Sequence, residues 1–190
     1  MPSPGSDTAA EFAAFMQAHQ DRVYSTAVRM LADPAQAEDI AQAVFLKAFE
    51  RFSELQSNPA TPGWLKTVAT NLCINHLQRY RRRMSFFGER QREDADDEVE
   101  ELPDMAVPDE LLEGVTGAQR RALVEGALRQ LPDHQRVPLV LYHFEELSYQ
   151  QIAERTQVSV AKVKTDIFRA RAALLRNLGG HAATADLSAG

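Results

Sequence analysis

The chain has 190 residues, a formal net charge of −6 and an apolar fraction of 44%, which suffices for one or two small domains with hydrophobic cores. No apolar run approaches the roughly 20 residues that span a bilayer, and the N-terminus lacks the basic start and apolar stretch of a signal peptide. Cys73 is the single cysteine, so an internal disulfide is excluded. These features predict a cytoplasmic protein without a membrane span.

The negative charge is concentrated in one segment. Residues 1–83 carry 9 Lys/Arg and 8 Asp/Glu, residues 84–117 carry 2 and 12, and residues 118–190 carry 10 and 7. A block of like charges is typical of a flexible or interacting segment, and the two flanks stay compatible with an anionic partner such as nucleic acid.

The periodic segments on both sides of the acidic block are helical, and no strand-like alternation is present. We predict an all-α chain with two small helical domains at residues 12–84 and 118–178. A flexible acidic linker is predicted over residues 85–117. Residues 1–11 and 179–190 are predicted to be terminal tails, the second of them frayed.

Three helices are predicted in the first domain. The first carries an apolar stripe at three- and four-residue steps, comprising Phe12, Phe15, Met16, Val23, Ala27, Met30 and Leu31. The second begins with Asp33 as N-cap, Pro34 as first helical residue and Gln36 completing a capping box. It is expected to run to about Phe52 with an inward stripe of Ile40, Val44, Phe45, Ala48 and Phe52.

A loop over residues 53–60 then leads to the third helix, which begins with Thr61 as N-cap and Pro62. Its expected apolar residues are Trp64, Leu65, Val68, Leu72, Ile74 and Leu77, and it ends in an arginine-rich run. Its polar residues and terminal arginines suit nucleic-acid contact, because asparagine can read base edges and arginine can hold phosphates. Trp64 could stack on an unpaired base, or it could be a core residue above a helix end that the arginines stabilise.

The second domain is predicted to contain a helix over residues 120–130, a helix over 133–145, and a helix pair. Pro138 lies either in the first turn of the second helix or at a bend in it. In the pair, Ser148 and Gln151 form a capping box, a turn covers residues 157–159, and the last helix runs from Val160 to about residue 178.

Two helices joined by a three-residue turn, the second rich in Lys and Arg, form the helix-turn-helix pattern of DNA-binding proteins. Ala153 is small where the helices cross, and Val158 and Val163 are the apolar residues between them. Ser159 caps the second helix. The basic and polar residues expected on or near its exposed face are Lys162, Lys164, Thr165, Arg169 and Arg171. A helical hairpin with a solvated basic face is the less favoured interpretation.

Signs of catalysis are absent from the sequence. It has no glycine-rich phosphate loop and no Cys/His cluster, and its five histidines are scattered. Cys73 lies in an apolar stretch and is interpreted as a small core residue. The Glu38-Asp39 pair has no second carboxylate one turn away on its face, so we expect neither a metal site nor a cofactor.

Four segments together resemble the extracytoplasmic-function (ECF) sigma factors of the sigma-70 family. They are Ala37–Phe49, Trp64–Leu72 with the following arginines, Leu131-Pro132 with Leu139–Ala153, and Val163–Thr165 with Arg169–Leu174. The resemblance covers roughly residues 12–83 and 120–178, most of the chain, in the family's order and across an acidic linker. It implies a protein that binds core RNA polymerase, directs initiation at promoters and catalyses no reaction itself. It also implies an anti-sigma factor as a partner.

The resemblance further implies a role for each segment. The polymerase clamp would be contacted by Glu38, Asp39, Gln42 and Phe45. The −10 element would be melted and read by Gln56, Ser57, Asn58, Thr61, Trp64, Lys66, Thr67, Asn71, Asn75, Arg79, Arg81, Arg82 and Arg83, and the loop would hold a flipped base. The −35 element would be read by Ser148, Ser159, Ala161, Lys162, Lys164, Thr165, Phe168, Arg169 and Arg171. The acidic linker would occupy the polymerase's nucleic-acid path before RNA displaces it.

Three residues depart from the family pattern. Ala43 stands where a carboxylate is usual, which puts one polar polymerase contact in question. Asn75 stands where aspartate is common. Asp166 stands where arginine is frequent, so it either accepts a hydrogen bond from a cytosine amine or points away from DNA.

Two other functions are compatible with parts of the pattern. A stand-alone helix-turn-helix regulator, with a first domain that binds a partner protein or dimerises, would share the second domain and would bind duplex DNA without polymerase. A small helical enzyme is disfavoured because no catalytic constellation is present.

Overall fold

The computed structural model describes residues 4–86 and 116–187, with side chains over 8–80 and 116–178. All regular structure in these residues is helical, as predicted. The chain divides into two compact units, Met1–Arg90 and Gln91–Gly190, called here the N-terminal and C-terminal units. The predicted linker over 85–117 lies almost entirely outside the described residues.

The N-terminal unit contains four helices, α1 (Pro4–Leu31), α2 (Pro34–Glu50), α3 (Phe52–Leu55) and α4 (Thr61–Phe86). Residues 4–11, expected in a tail, belong to α1. The second helix ends two residues before Phe52, and α3 occupies part of the predicted loop. Helices α1, α2 and α4 pack on one another around a core of Val23, Ala27, Met30, Ala37, Val44, Ala48, Leu65, Ala69 and Cys73, which are all fully buried.

The start of α2 follows the sequence closely. Pro34 is its first residue, and the Asp33 carboxylate accepts a hydrogen bond from the Gln36 backbone N–H at 3.1 Å. The Gln36 side-chain amide also donates to this carboxylate, at 2.9 Å. In the expected capping box, the Gln36 side chain would instead accept from the Asp33 backbone N–H. Ile40, Val44, Phe45, Ala48 and Phe52 are all buried, as predicted.

The C-terminal unit contains α5 (Gly117–Arg129), α6 (Asp133–His143), α7 (Tyr149–Thr156) and α8 (Val160–Leu187). Helix α8 continues nine residues beyond Leu178, through the region predicted to fray. Helices α5, α6 and α7 all pack on α8. Their core contains Leu128, Val140, Leu141, Ile152, Val163, Ile167 and Ala170, each at most 1% exposed. Burial of such side chains stabilises a fold by about 1.5–3 kcal/mol each for the larger ones.

A buried arginine secures the corner between α5 and α6. Arg136 is 3% exposed, and its guanidinium donates to the Leu131 carbonyl at 2.6 Å and to the Asp133 carboxylate. Pro138 lies inside α6, beyond its first turn, so the placement in the first turn is wrong.

Three residues other than glycine adopt positive φ in the described residues: Ala32 (58°), Glu146 (56°) and Gln157 (60°). They lie between α1 and α2, between α6 and α7, and between α7 and α8. The left-handed conformation brings Cβ close to the following carbonyl and costs roughly 1 kcal/mol in a residue with a side chain. Glycine adopts this conformation without that cost, but none of these three turns has glycine at the position.

Candidate nucleic-acid interface

The helix-turn-helix is formed by α7, residues 157–159 and α8. Ser148 Oγ accepts from the Gln151 N–H at 3.3 Å, and Gln151 Oε1 accepts from the Ser148 N–H at 2.9 Å, which confirms the predicted capping box. Gln157 reverses the chain in the left-handed conformation. Ser159 Oγ then accepts from the Lys162 N–H at 3.1 Å. Both helix starts and the turn between them are thus determined by local hydrogen bonds.

The solvent side of α8 carries most of the residues that were predicted to read DNA. Ala161 and Lys164 are exposed, whereas Lys162, Thr165, Phe168 and Arg169 are half-buried. Successive residues are rotated by about 100° around a helix, so these six lie on one broad face opposite the buried Val163, Ile167 and Ala170. Ser148 and Ser159 are exposed at the N-terminal ends of α7 and α8.

Arg171 departs from this arrangement. The expectation that it lies on the exposed face is wrong, because its side chain is packed against α6 and the residue is 6% exposed. Its Nε donates to His143 Nε2 at 3.2 Å, and its guanidinium lies 5.5 Å from the centre of the Tyr142 ring. The sequence could not reveal this, since both partners come from another helix.

Asp166 is buried and is not part of the exposed face of α8. It is 3% exposed, and its carboxylate lies 3.4 Å from Lys162 Nζ. Burial raises the pKa of this carboxyl, while Lys162, His134 and Arg169 act in the opposite direction. Of the two alternatives for Asp166, the structure therefore supports the one in which it does not contact a base.

A polar face runs along α4. Trp64, Thr67, Asn71, Asn75 and Gln78 recur at three- and four-residue steps and thus share one side of the helix. Thr67, Asn71, Asn75 and Arg79 are exposed. Lys66 is half-buried and lies about 140° around the helix from Asn71, so it is not part of this face. Arg81, Arg82 and Arg83 continue α4, and their side chains lie outside the described set.

Trp64 is half-buried at the start of this face. The Arg51 guanidinium lies 5.9 Å from the centre of the Trp64 ring, within the range of a cation–π contact. The core beneath it is formed instead by Leu65 and Ala69, which are fully buried. Trp64 thus belongs to neither the deep core nor the fully exposed surface.

The loop before α4 is anchored by a buried hydrogen bond. Thr61 is 3% exposed and its hydroxyl donates to the Leu55 carbonyl at 2.7 Å. Thr61 therefore anchors the loop and does not face solvent as a DNA contact would. Asn58 Oδ1 accepts from the Ala60 N–H at 2.9 Å, whereas Gln56 and Ser57 are exposed. Thr61 is also the first residue of α4 and not its N-cap.

The outer face of α2 combines charge with apolar surface. Glu38, Asp39 and Gln42 are exposed as expected, but Phe45 is 5% exposed and belongs mostly to the core. Leu46 and Phe49, which were not predicted as site residues, are 69% and 54% exposed. Their spacing of four and seven residues from Gln42 places them on the same side of the helix, and this spacing is the signal that could have found them.

A groove between α1 and α2 adjoins this face. It has a volume of about 380 Å³ and is lined by Met16, Gln20, Asp21, Tyr24, Glu38, Ala41, Gln42 and Phe45. Phe45 thus forms one wall of the groove even though most of its surface is buried. The face of α2 and the groove together offer acidic, amide and apolar groups to a partner.

Cys73 is fully buried, in agreement with its interpretation as a core residue. Within residues 4–86 and 116–187, no group of three His, Cys, Asp or Glu residues is arranged to hold a metal ion. In the same ranges, no helix has the length and apolarity that crossing a membrane requires.

These surfaces define a class of protein: a two-unit helical DNA-binding protein with a helix-turn-helix in the C-terminal unit. Family models bear this out, since Sigma-70 region 2 matches residues 15–83 and Sigma-70, region 4 matches residues 119–174. The chain belongs to the sigma-70 family and, as its 30% identity over 88% of its length to a curated ECF sigma factor shows, to the ECF sigma factors, which direct RNA polymerase to promoters. The family predicted from the sequence is thereby confirmed.

Curated relatives match across both units. The chain is 30% identical over 169 residues to the ECF RNA polymerase sigma factor SigW of Bacillus subtilis, covering 88% of each chain. It is 31% identical over 163 residues to the RNA polymerase sigma-H factor of Pseudomonas aeruginosa, covering 82% of this chain and 80% of the relative. Among solved structures, the sigma factor RpoE of Bartonella quintana, in complex with the anti-sigma factor NepR, has 20% identity, a TM-score of 0.48, and coverage of 88% of this chain and 96% of its own.

Proposed function

We propose that this sigma factor divides promoter recognition between its units, with α8 reading the −35 element and α4 with the preceding loop reading the −10 element. The main support is the exposed face of α8, which follows a capped turn and carries Lys162, Lys164 and Arg169. Lysine and arginine there suit guanine edges and phosphates in a major groove.

In the N-terminal unit, Asn71 and Asn75 are proposed to contact bases of the −10 element. Both are exposed on one side of α4, and an amide can both donate to and accept from a base edge. Trp64, under Arg51, would stack on an unpaired base at the start of this face. The flipped base would enter the loop of Gln56, Ser57 and Asn58, which Thr61 anchors from below.

Polymerase docking is assigned to the outer face of α2. Glu38, Asp39 and Gln42 supply charge and hydrogen bonds, and Leu46 and Phe49 supply apolar area. Exposed large apolar side chains next to charged ones are typical of a protein-binding patch. Ala43, where the family usually has a carboxylate, is half-buried on this helix, so the apolar residues would carry a larger share of the contact.

The acidic residues 85–117 are proposed to occupy the basic nucleic-acid path of the polymerase, on the basis of their 12 Asp/Glu and 2 Lys/Arg within 84–117. We further propose that the protein works in the cytoplasm, without a cofactor and without catalysing a reaction, and that an anti-sigma factor holds it inactive. These proposals follow from family membership.

The decisive experiment reconstitutes the full chain with core RNA polymerase and measures run-off transcription from a random promoter library. Selection of a common promoter pattern is expected. If the chain binds duplex DNA tightly alone but neither binds core polymerase nor directs initiation, the regulator alternative is correct instead.

Docking is tested with neighbouring residues of α2. Leu46→Ala should weaken binding to core polymerase by about fivefold or more, the loss of about 1 kcal/mol or more that marks an important interface residue. Lys47→Ala is the control, because Lys47 is exposed but lies about 100° around α2 from Leu46, at the margin of this face. Equal affinities of the two variants would remove this face from the interface.

A further inference from the structure

Two lysines of α8 that face solvent are held in different ways. Lys162 Nζ lies 3.4 Å from the Asp166 carboxylate, whose side chain is 5% exposed. Lys164 Nζ lies 6.0 Å from the centre of the Tyr149 ring. A carboxylate offsets the charge of a lysine, whereas a neutral ring attracts the cation through its quadrupole and leaves the net charge unchanged. The Tyr149 ring can therefore orient Lys164 without neutralising it.

The Tyr149 ring is packed against a second tyrosine ring. It stacks on Tyr142 with ring centres 4.9 Å apart and an interplanar angle of 12°. The Tyr142 ring also contacts Arg171, whose guanidinium is 5.5 Å from the Tyr142 ring centre. Arg171 Nε donates to His143 Nε2 at 3.2 Å. The four groups Arg171, Tyr142, Tyr149 and Lys164 thus form a series of contacts that runs from α8 through α6 and α7 and back to α8, called here the tyrosine column.

The tyrosine column begins and ends on α8. Lys164 and Arg171 are seven residues apart, so they lie on the same side of α8 about two turns, or roughly 10 Å, apart. Tyr142 comes from the end of α6 and Tyr149 from the start of α7. The two rings therefore bridge two turns of α8, with a buried cation at one end and an exposed one at the other.

We propose that Tyr149, backed by Tyr142, is a positioning residue that holds Lys164 ready for a phosphate of the −35 element. This inference rests on the proposed role of α8. A free lysine side chain loses rotamer entropy when it is fixed at an interface, and a ring that already restricts it reduces this loss. Arg171 is the buried end of the tyrosine column, so it is not proposed to contact DNA.

The test compares Tyr149→Phe, Tyr149→Leu, Lys164→Ala and the double variant Tyr149→Leu/Lys164→Ala. Each full chain is assembled with core polymerase on the promoter selected by the wild type, and affinity is measured over a salt series. Phenylalanine keeps the ring, so it should bind within about twofold of wild type. Leucine should weaken binding about two- to fivefold, the range of an exposed cation–π contact. The double variant should bind no more weakly than Lys164→Ala, which should also lower the salt slope by about one.

Lys162 provides the matched control, because it pairs with Asp166 and not with Tyr149. The fold-losses of Lys162→Ala and Tyr149→Leu should multiply in their double variant, whereas those of Lys164→Ala and Tyr149→Leu should not. Multiplication in both pairs would overturn the proposal, because Tyr149 would then act independently of Lys164. A loss in Tyr149→Phe as large as in Tyr149→Leu would also overturn it, since the hydroxyl would then be the contact.

A second measurement does not depend on the leucine variant being folded. In the NMR spectrum of the wild-type chain, the Lys164 side-chain methylene protons should be shifted upfield by the Tyr149 ring and should keep this shift in Tyr149→Phe. Random-coil positions in both proteins would overturn the proposal. A wild-type holoenzyme that selects no promoter would instead contradict the proposed function, so the two failures are distinguishable.

Discussion

The hydroxyl of Thr61 tests how the loop before α4, which is proposed to read the −10 element, is anchored. It is buried and donates to the Leu55 carbonyl at 2.7 Å, and the Asn58 N–H donates to the same carbonyl at 3.2 Å. Thr61→Val keeps the shape of the side chain and removes the donor. Loss of a buried hydrogen bond costs about 1–2 kcal/mol. In a domain of this size, that loss lowers Tm by about 4–15 °C.

Thr67→Val is the matched control on the same helix. The Thr67 hydroxyl also donates to a backbone carbonyl, that of Gly63 at 2.9 Å, but Thr67 is exposed. Water can replace that bond, and threonine and valine have similar helix propensities. We therefore expect Thr67→Val to change the free energy of unfolding by no more than about 0.5 kcal/mol, as most surface substitutions do.

Trp64 is the single tryptophan of the chain, so its fluorescence reports unfolding of the N-terminal unit alone. In urea titrations, the unfolding midpoint of Thr61→Val should lie clearly below that of Thr67→Val. At a temperature where both are folded, Thr61→Val holoenzyme should also open the −10 region more slowly, as measured by permanganate reactivity of unpaired thymines. If the two variants unfold at the same urea concentration, the Thr61 hydroxyl does not anchor the loop.

Three further predictions concern the C-terminal unit, whose unfolding can be followed by NMR signals of its own residues. Burial raises the folded-state pKa of Asp166, so ionisation of this carboxyl disfavours the fold. The stability advantage of Asp166→Asn over wild type should therefore grow as pH rises from about 4, and a constant or shrinking difference would contradict the assignment. Gly126→Ala should stabilise α5 by about 0.5–1 kcal/mol, because nothing lies within 4 Å of the added Cβ, and an unchanged or lower Tm would show otherwise. Arg136→Met should lower the free energy of unfolding by about 1–3 kcal/mol, because the buried Leu131 carbonyl loses its donor, and wild-type stability would contradict this role.

Features determined by neighbouring residues could be predicted from the sequence. Asp33 with Pro34, and Ser148 with Gln151, placed two helix starts correctly because the capping atoms and the backbone groups they satisfy lie within three residues. The buried stripe of α2 followed from its periodicity for the same reason. The acidic block could be located by counting charges, without knowledge of the fold.

Features determined by distant residues could not be predicted. The basic character of Arg171 suggested an exposed DNA contact, but its burial depends on Tyr142 and His143, which are 28 or more residues away in the chain. Thr61, which precedes Pro62, was predicted to be the N-cap of the third helix, but its hydroxyl donates to the Leu55 carbonyl. Lys66 was grouped with Asn71 as a −10 contact, but it lies about 140° from Asn71 around α4. Phe45 was predicted both to face the core and to contact the polymerase, and its 5% exposure supports the first of these.

The corners at Ala32, Glu146 and Gln157 have a consequence for binding. A glycine at each would relieve the left-handed strain, and it would also let the flanking helices swing more widely in the free protein. A residue with a Cβ narrows this range before any partner arrives. We expect Gln157 to restrict the angle between α7 and α8 in the free protein. If α8 reads the −35 element as proposed, less conformational entropy is then lost on binding. The cost of the left-handed turn is met when the unit folds, and it is the same in the free and the bound protein.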